Sequence, residues 1–164
     1  MSHTLLGAIL VGLLLDTGCS QLARRPEPYR FTTAQRRAVE HLLAARPGWR
    51  LATLADNRAD DLAEQLREHP GYEPYFVQWP GGDRPDFAIV LMRGDECTVY
   101  WFRAEVGRYR PVEVTRAAWL RTAGLFLQGD TLEVAPFHSD EIFAFAWDSA
   151  ANRPVLLPAD SGEP

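Results

Sequence analysis

The chain of 164 residues contains no lysine: all 17 of its basic residues are arginine, and they are outnumbered by 22 acidic residues. The resulting net charge of −5 argues against a nucleic-acid partner, because proteins that bind nucleic acids normally present a basic face. A GC-rich genome explains the use of arginine instead of lysine more simply than selection for bidentate anion binding does.

The sequence also lacks the motifs of the common catalytic sites. It has no Gly-x-Ser-x-Gly nucleophile elbow, no P-loop, no dinucleotide-binding fingerprint and no His-Glu-x-x-His zinc motif. Its densest polar run is His138-Ser139-Asp140-Glu141. An imidazole beside carboxylates can bind a metal or transfer protons, but a hydrated turn explains this run more simply. We therefore expect no cofactor and no metal site, and the sequence favours a non-enzymatic function.

An apolar run over residues 5–15 is too short to cross the roughly 30 Å of hydrocarbon in a bilayer, and its length is typical of an export signal. Gly18 and Cys19, which follow it, resemble the lipobox of bacterial lipoproteins. This resemblance implies that residues 1–18 are removed and that Cys19 carries a lipid. The serine after the cysteine implies the outer membrane, so an exported, outer-membrane-anchored periplasmic lipoprotein is predicted. The alternatives are a cut before Gln21, which would yield a soluble secreted or periplasmic protein, and an uncleaved anchor.

The predicted organisation is a signal peptide at 1–18, a tether at 19–30 and a single domain at 31–160. A chain of this length is enough for one hydrophobic core. There are only two cysteines, Cys19 and Cys97, so a lipid on Cys19 would leave no intramolecular disulfide.

The two predicted helices lie in the first part of the domain, and residues 115–121 are a candidate helical turn between strands. Thr32 and Gln35 have the spacing of a capping box, and the apolar stripe after them predicts a helix over 33–46. A second helix is predicted over 58–69. From residue 72 onward, short runs of β-branched and aromatic residues separated by Gly, Pro, Asp and Asn predict strands. The strands are expected at 74–79, 86–93, 97–103, 110–114, 124–128, 131–135, 141–147 and 154–157.

This order of elements predicts an α+β fold. In it, the two N-terminal helices pack on a mainly antiparallel sheet of about seven or eight short strands.

Residues 77–91 resemble the calcium loop of FG-GAP and VCBS-type repeats, in which carboxylates alternate before an apolar strand. The stretch 141–160 similarly resembles the closing hairpin of exported bacterial proteins that carry such a loop. Both resemblances imply a small extracytoplasmic β-rich domain. The ligand positions of the loop correspond to Gln78, Pro80, Gly82 and Asp86. Only the last supplies a carboxylate, so the loop is degenerate and no tight calcium site is predicted.

Aromatic residues are concentrated in the predicted strands, close to arginines. Tyr100-Trp101-Phe102 places large rings on both faces of one strand. Either one face presents exposed rings, or helices and a second sheet layer bury both faces. Exposed Trp and Tyr with nearby arginine is the composition of protein-binding hot spots. The predicted binding surface consists of Tyr75, Trp79, Tyr100, Trp101 and Arg103.

Two functions follow as hypotheses. The first is an envelope domain that binds an unknown protein partner without catalysis, for example as an inhibitor or immunity protein. The alternative is a hydrolase of envelope polymers that uses His138 with Asp140 or Asp86. A deep pocket at those side chains would favour the enzyme, and an exposed aromatic patch would favour the binding domain.

Overall fold

The computed structural model describes residues 29–137 and 139–158 of the chain. Within them, the fold has two α-helices and nine strands that form two antiparallel sheets. The helices are α1 (Thr33–Ala44) and α2 (Leu62–Glu68). The strands are β1 (Arg50–Leu51), β2 (Phe76–Gln78), β3 (Phe87–Arg93), β4 (Glu96–Glu105), β5 (Arg108–Arg116), β6 (Ala123–Gln128), β7 (Thr131–Pro136), β8 (Phe143–Asp148) and β9 (Arg153–Leu156).

Helix α1 begins with the predicted capping box. The Gln35 backbone N–H donates to the Thr32 hydroxyl at 3.2 Å, and the Thr32 N–H donates to the Gln35 side-chain oxygen at 2.8 Å. The buried face of the helix, which includes Val39 and Leu42, packs on the first sheet, mainly along β5.

The first sheet has the strand order β1-β3-β4-β5, and β2 also pairs with β3. Its centre is buried on both faces: every residue of β3 from Phe87 to Met92 is buried, as are the β4 residues from Cys97 to Phe102. Strands β4 and β5 are joined by the two-residue turn Val106-Gly107, in which Gly107 adopts a φ of +76° that favours glycine. We call the strands and this turn the β4–β5 hairpin.

The second sheet is a meander with the order β6-β7-β8-β9. The inward face of this sheet includes Leu125, Leu132, Val134 and Phe145, which belong to the same hydrophobic core as the residues of β3 and β4. The two sheets therefore enclose a single core.

The 3-10 turn Ala118–Thr122 carries the chain from one sheet to the other. Its Leu120 is buried in the core, and the N–H of Leu125 in β6 donates to the carbonyl of Pro74 at 2.8 Å, next to the start of β2. The chain thus changes sheets between β5 and β6 instead of extending the first sheet.

The predicted fold class is wrong. The protein is built mainly from two antiparallel sheets, and it does not consist of two helices packed on one sheet. The second helix was predicted over 58–69, but α2 has only 7 residues and none of them is buried. The residues before α2 form other contacts: the Asn57 side chain accepts from the Ala59 N–H at 2.9 Å, and the Arg58 N–H donates to the carbonyl of Arg121. Such side-chain turns compete with helix formation.

Each of the eight predicted strands corresponds to an observed strand, β2 to β9, with ends that shift by a few residues. No helix in the described part of the chain is long and apolar enough to cross a membrane. Cys19 and the predicted signal peptide lie outside the described residues, as does most of the predicted tether.

Candidate binding site

Asp86, immediately before β3, fixes the loop that precedes it to strand β4. One carboxylate oxygen accepts from the Ala104 N–H at 2.8 Å. The other accepts from the Trp101 indole N–H at 2.9 Å and from the Arg103 guanidinium at 2.8 Å. The Asp86 side chain is only 11% exposed, so its carboxylate is enclosed by protein donors.

Two side chains at the ligand positions of the loop that resembles a calcium loop, Gln78 and Asp86, have their oxygen atoms hydrogen-bonded to the protein. The side-chain oxygen of Gln78 accepts from the Gln35 amide at 2.7 Å, and both oxygens of Asp86 accept the bonds described above. Within residues 29–137 and 139–158, no group of three His, Cys, Asp or Glu side chains is arranged to hold a metal ion. The absence of a tight calcium site stays a prediction.

Three tryptophans pack in series beside Asp86, at the place where the two sheets meet. Trp79 and Trp101 are stacked with ring centroids 4.2 Å apart, and both are buried. Trp147, from β8 of the second sheet, lies 5.6 Å from the Trp101 ring and is partly exposed. The outermost ring of the series is therefore supported by two buried rings.

Two arginines cover the Trp147 ring. Arg103 and Arg110 are register partners in β4 and β5, and their guanidinium carbons lie 5.1 and 5.2 Å from the ring centroid. These distances are typical of cation–π interactions. Asp86 binds Arg103 at 2.8 Å, and Glu105 binds Arg110 at 2.7 Å. Each guanidinium is thus held by a carboxylate as well as by the ring.

The Glu105 carboxylate bridges two arginines of the β4–β5 hairpin. It accepts from Arg108 at 2.9 Å and from Arg110 at 2.7 Å, and these hydrogen bonds lower the pKa of Glu105 below its ordinary value. Arg110 also donates to the carbonyl of Asn152 at 3.0 Å, which connects the hairpin to the turn before β9.

The three tryptophans, Asp86 and Arg103 line a hollow of about 430 Å³ between the loop before β3, the first sheet and the second sheet. We call it the tryptophan hollow. Its lining residues are Trp79, Pro80, Gly81, Pro85, Asp86, Trp101, Arg103, Asp130, Ala146, Trp147 and Ser149. The hollow combines an aromatic wall, a fixed guanidinium and, at its rim, the exposed Asp130 and Ser149.

The structure separates the five residues predicted as a binding surface. The four aromatic side chains are buried: the exposed fraction is 1% for Tyr75, 8% for Trp79, 2% for Tyr100 and 1% for Trp101. Of the two alternatives, these rings therefore follow the one in which both faces of the strands are buried. Trp79, Trp101 and Arg103 come together at the hollow, whereas Tyr100 donates to Glu113 at 3.0 Å at another part of the first sheet. Of the five, Arg103 is the side chain that is substantially exposed, at 41%.

Trp147 was not anticipated from the sequence, and Arg110 was noted among the arginines near the aromatic residues but was not included in the predicted surface. The alternation Phe143-x-Phe145-x-Trp147 indicates that Trp147 shares a face with core residues of β8. That pattern contains no sign that the ring meets a neighbouring sheet, because the contact depends on how the two sheets pack.

The two carboxylates of the hydrolase hypothesis lie in different depressions. Asp86 lines the tryptophan hollow, whereas Asp140 lines a different depression together with Phe137 and Ile142. His138 lies outside the described residues. A general base needs a lone pair directed at substrate, and three protein donors already occupy most of the acceptor capacity of the Asp86 carboxylate.

The chain matches no protein-family model, and neither a curated protein nor a solved structure is significantly similar to it.

Proposed function

We propose that this protein is a membrane-tethered, non-enzymatic binding domain of the bacterial envelope that captures a protein partner at the tryptophan hollow. The observation that carries the proposal is the partly exposed Trp147 ring, which lines the hollow and is covered by Arg103 and Arg110. Tryptophan and arginine are enriched among the residues that dominate protein-binding energy. An inhibitor or immunity role is the form of partner capture that we favour.

The rigidity of these side chains supports the proposal. Trp147 rests on the buried Trp101, and Asp86 and Glu105 hold the two guanidiniums before any partner arrives. Groups that are already ordered lose little conformational entropy on binding, so more of their contact energy contributes to affinity. A partner side chain that is acidic or planar fits this site, because guanidinium donors and an aromatic face are both presented there.

Hydrolysis of an envelope polymer has less support. The carboxylate of Asp86 is occupied by three protein donors, and Asp140 lies in a separate depression.

Site-specific photo-crosslinking in the producing cells tests the proposed site. A photoreactive residue at Ser149, on the rim of the hollow, is expected to form an adduct with one envelope protein, whereas the same residue at Arg67 on α2 is not. Trp147→Ala should reduce the Ser149 adduct at least about tenfold, the ratio that corresponds to 1.4 kcal/mol. Arg110→Gln, which keeps the ring, should also reduce it.

Trp49→Ala is the matched control. Trp49 also lies under two arginines, Arg93 at 5.0 Å and Arg116 at 5.5 Å, but it is not among the residues that line the hollow. The adduct should persist in Trp49→Ala. An adduct that survives Trp147→Ala and Arg110→Gln at full yield would rule out the hollow as the binding site.

The proposed tether has its own test. Intact mass of the protein from a bacterial host, wild type beside Cys19→Ala, should show a diacyl or triacyl adduct in the wild type alone. A lipid-free wild-type chain that begins near Gln21 would refute the lipid anchor and leave the proposal for the hollow standing.

A further inference from the structure

A second concave surface, which we call the arginine groove, lies between helix α1 and the end of the β4–β5 hairpin. Its volume is about 610 Å³. The lining residues are Ala34, Arg37, Ala38, His41, Arg84, Gly107, Arg108, Tyr109, Arg110 and Pro111. Arg110 is its one lining residue that also takes part in the interactions at Trp147.

Small side chains on α1 create this groove. Ala34 and Ala38 are one helical turn apart, so they lie on the same face of α1 opposite the hairpin. They leave the floor of the groove to the Tyr109 ring, which is 8% exposed. The Tyr109 hydroxyl donates to the carbonyl of Pro85 at 3.1 Å and fixes the position of the ring.

The charge of the groove contrasts with that of the whole chain. Among the described residues, four arginines and a histidine line it and none of those that line it is acidic, although the net charge of the protein is −5. The neighbouring Glu105 carboxylate pairs with Arg108 and Arg110. Arg84 donates to a neutral group, the carbonyl of Glu105, at 3.4 Å and lies 5.7 Å from the Tyr109 ring centroid. In the part of the chain that the structure describes, Glu105 is the one carboxylate in an ion pair with any of these four guanidiniums, so the described lining carries an excess of positive charge.

Arg37 contributes a positive charge to the groove from helix α1. It is exposed, and it lies four residues before His41 on the same face of α1. Arg37 therefore lines the groove from the helix side, together with Ala34 and Ala38, while Arg84, Arg108 and Tyr109 line it from the loop before β3 and from the hairpin. The guanidiniums can donate charge-assisted hydrogen bonds to a bound anion. The negative charge of the anion would also lower the repulsion between the guanidiniums.

We propose that the arginine groove binds a phosphate-bearing amphiphile. The phosphate is bound by the guanidiniums of Arg37, Arg84 and Arg108, and a short apolar body lies on Tyr109 and the two alanines. Guanidinium groups match the geometry of phosphate oxygens and bind them in a bidentate manner. The same chemistry is offered by a phospholipid headgroup with the first part of its acyl chains and by a soluble phosphorylated compound.

Calorimetric titration of the purified protein with hexyl phosphate tests this inference, with hexanol and inorganic phosphate as reference ligands. Hexyl phosphate should bind more tightly than either reference, and its affinity should fall with rising salt. Arg37→Glu should weaken binding at least about tenfold, and Arg67→Glu, the same charge reversal on the exposed face of α2, should change it less than about twofold. Ala38→Leu, which fills the groove without changing its charge, should also weaken binding. Circular dichroism of each variant establishes that it is folded.

Vesicle sedimentation distinguishes the two sources of the phosphate. Binding to phosphatidylglycerol vesicles but not to phosphatidylcholine vesicles, lost in Arg37→Glu, would assign the groove to an anionic lipid headgroup. Binding of hexyl phosphate without vesicle binding would assign it to a soluble phosphorylated ligand. The proposal is overturned if hexyl phosphate does not bind, if inorganic phosphate binds equally well, or if Arg67→Glu weakens binding as much as Arg37→Glu. Arg37 does not line the tryptophan hollow, so these outcomes are independent of partner capture at Trp147.

Discussion

The side chains of Gln35 and Gln78 are joined by a hydrogen bond of 2.7 Å, in which the amide of Gln35 donates to the side-chain oxygen of Gln78 across 43 residues of sequence. Gln35 is fully buried although it lies in the first turn of α1. Its oxygen caps the helix through the Thr32 N–H, so one side chain both starts α1 and attaches it to the end of β2.

Gln35→Ala should therefore destabilise the protein by about 1–3 kcal/mol, because it removes two hydrogen bonds and opens a cavity. Urea unfolding followed by circular dichroism measures this loss. Glu40→Ala, on the exposed side of the same helix, should change the free energy of unfolding by less than about 0.5 kcal/mol. Equal effects of the two substitutions would contradict the role assigned to Gln35.

Gly124 allows Tyr72 to cross strand β6. A Cβ atom at Gly124 would clash with the Tyr72 hydroxyl oxygen and would lie 2.8 Å from the Phe137 ring. The Tyr72 hydroxyl donates to the carbonyl of Leu125 at 3.2 Å, and its ring stacks on Phe126 at 5.0 Å, so the tyrosine is held in place.

Gly124→Ala should consequently cost about 1–3 kcal/mol of stability through overpacking. In the background of Tyr72→Phe, which removes the clashing oxygen, the same substitution should cost less. A double-mutant cycle of chemical denaturation measures the difference. If the destabilising effects of Gly124→Ala and Tyr72→Phe were strictly additive, the close approach of the Tyr72 hydroxyl to Gly124 would not be the cause of the destabilisation.

The positions of the strands were predictable from the sequence because they depend on local signals. The turn Gly94-Asp95 between β3 and β4 and the turn Gly129-Asp130 between β6 and β7 both lie where glycine and aspartate interrupt apolar runs. The two-residue strand β1 has too few residues to show an alternating pattern, and it pairs with β3 about 40 residues later.

The arrangement of the sheets was not predictable because it depends on contacts between distant residues. The sequence pattern of β5 and β6 is compatible with direct pairing, but in the structure they belong to different sheets, and the turn between them buries Leu120 in the core. The candidate site was not predictable for the same reason. Trp101 and Trp147 come from different sheets, so no spacing along the chain indicates their contact.

Substitution of Asp86 tests whether its carboxylate has a structural or a catalytic role. Asp86→Ala leaves the indole N–H of Trp101, the N–H of Ala104 and the charge of Arg103 without their acceptor. Loss of a mostly buried ionic partner of this kind costs about 3 kcal/mol. We expect a lower midpoint of thermal unfolding and a change in the tryptophan fluorescence.

Asp130→Ala is the control for this experiment, because Asp130 lines the same hollow but is exposed. It should leave both the midpoint and the fluorescence close to those of the wild type. If Asp86→Ala retained wild-type stability, the carboxylate would not have the structural role described here.

The pair Arg50 and Asp56 predicts how stability depends on pH. The guanidinium of Arg50 donates to both oxygens of Asp56, at 2.7 and 2.6 Å, and the backbone N–H and the hydroxyl of Thr53 each donate to it at 2.8 Å. The hydrogen bonds from Arg50, followed by those from Thr53, hold the pKa of Asp56 far below its ordinary value against the opposing effect of burial.

A carboxyl group whose pKa is lower in the folded state stabilises the protein above its unfolded pKa, which is about 3.9 for aspartate. This contribution is lost as the pH falls below that value towards the folded pKa. Asp56→Asn should therefore be less stable than the wild type at pH 7, and the difference should shrink as the pH is lowered from about 4 to about 2. Urea unfolding of both proteins at several pH values measures the difference in their free energies of unfolding. Because Arg50 is 48% exposed, high salt should also reduce the difference at pH 7. A difference that stays constant down to the lowest pH would show that the charge of Asp56 does not contribute to stability.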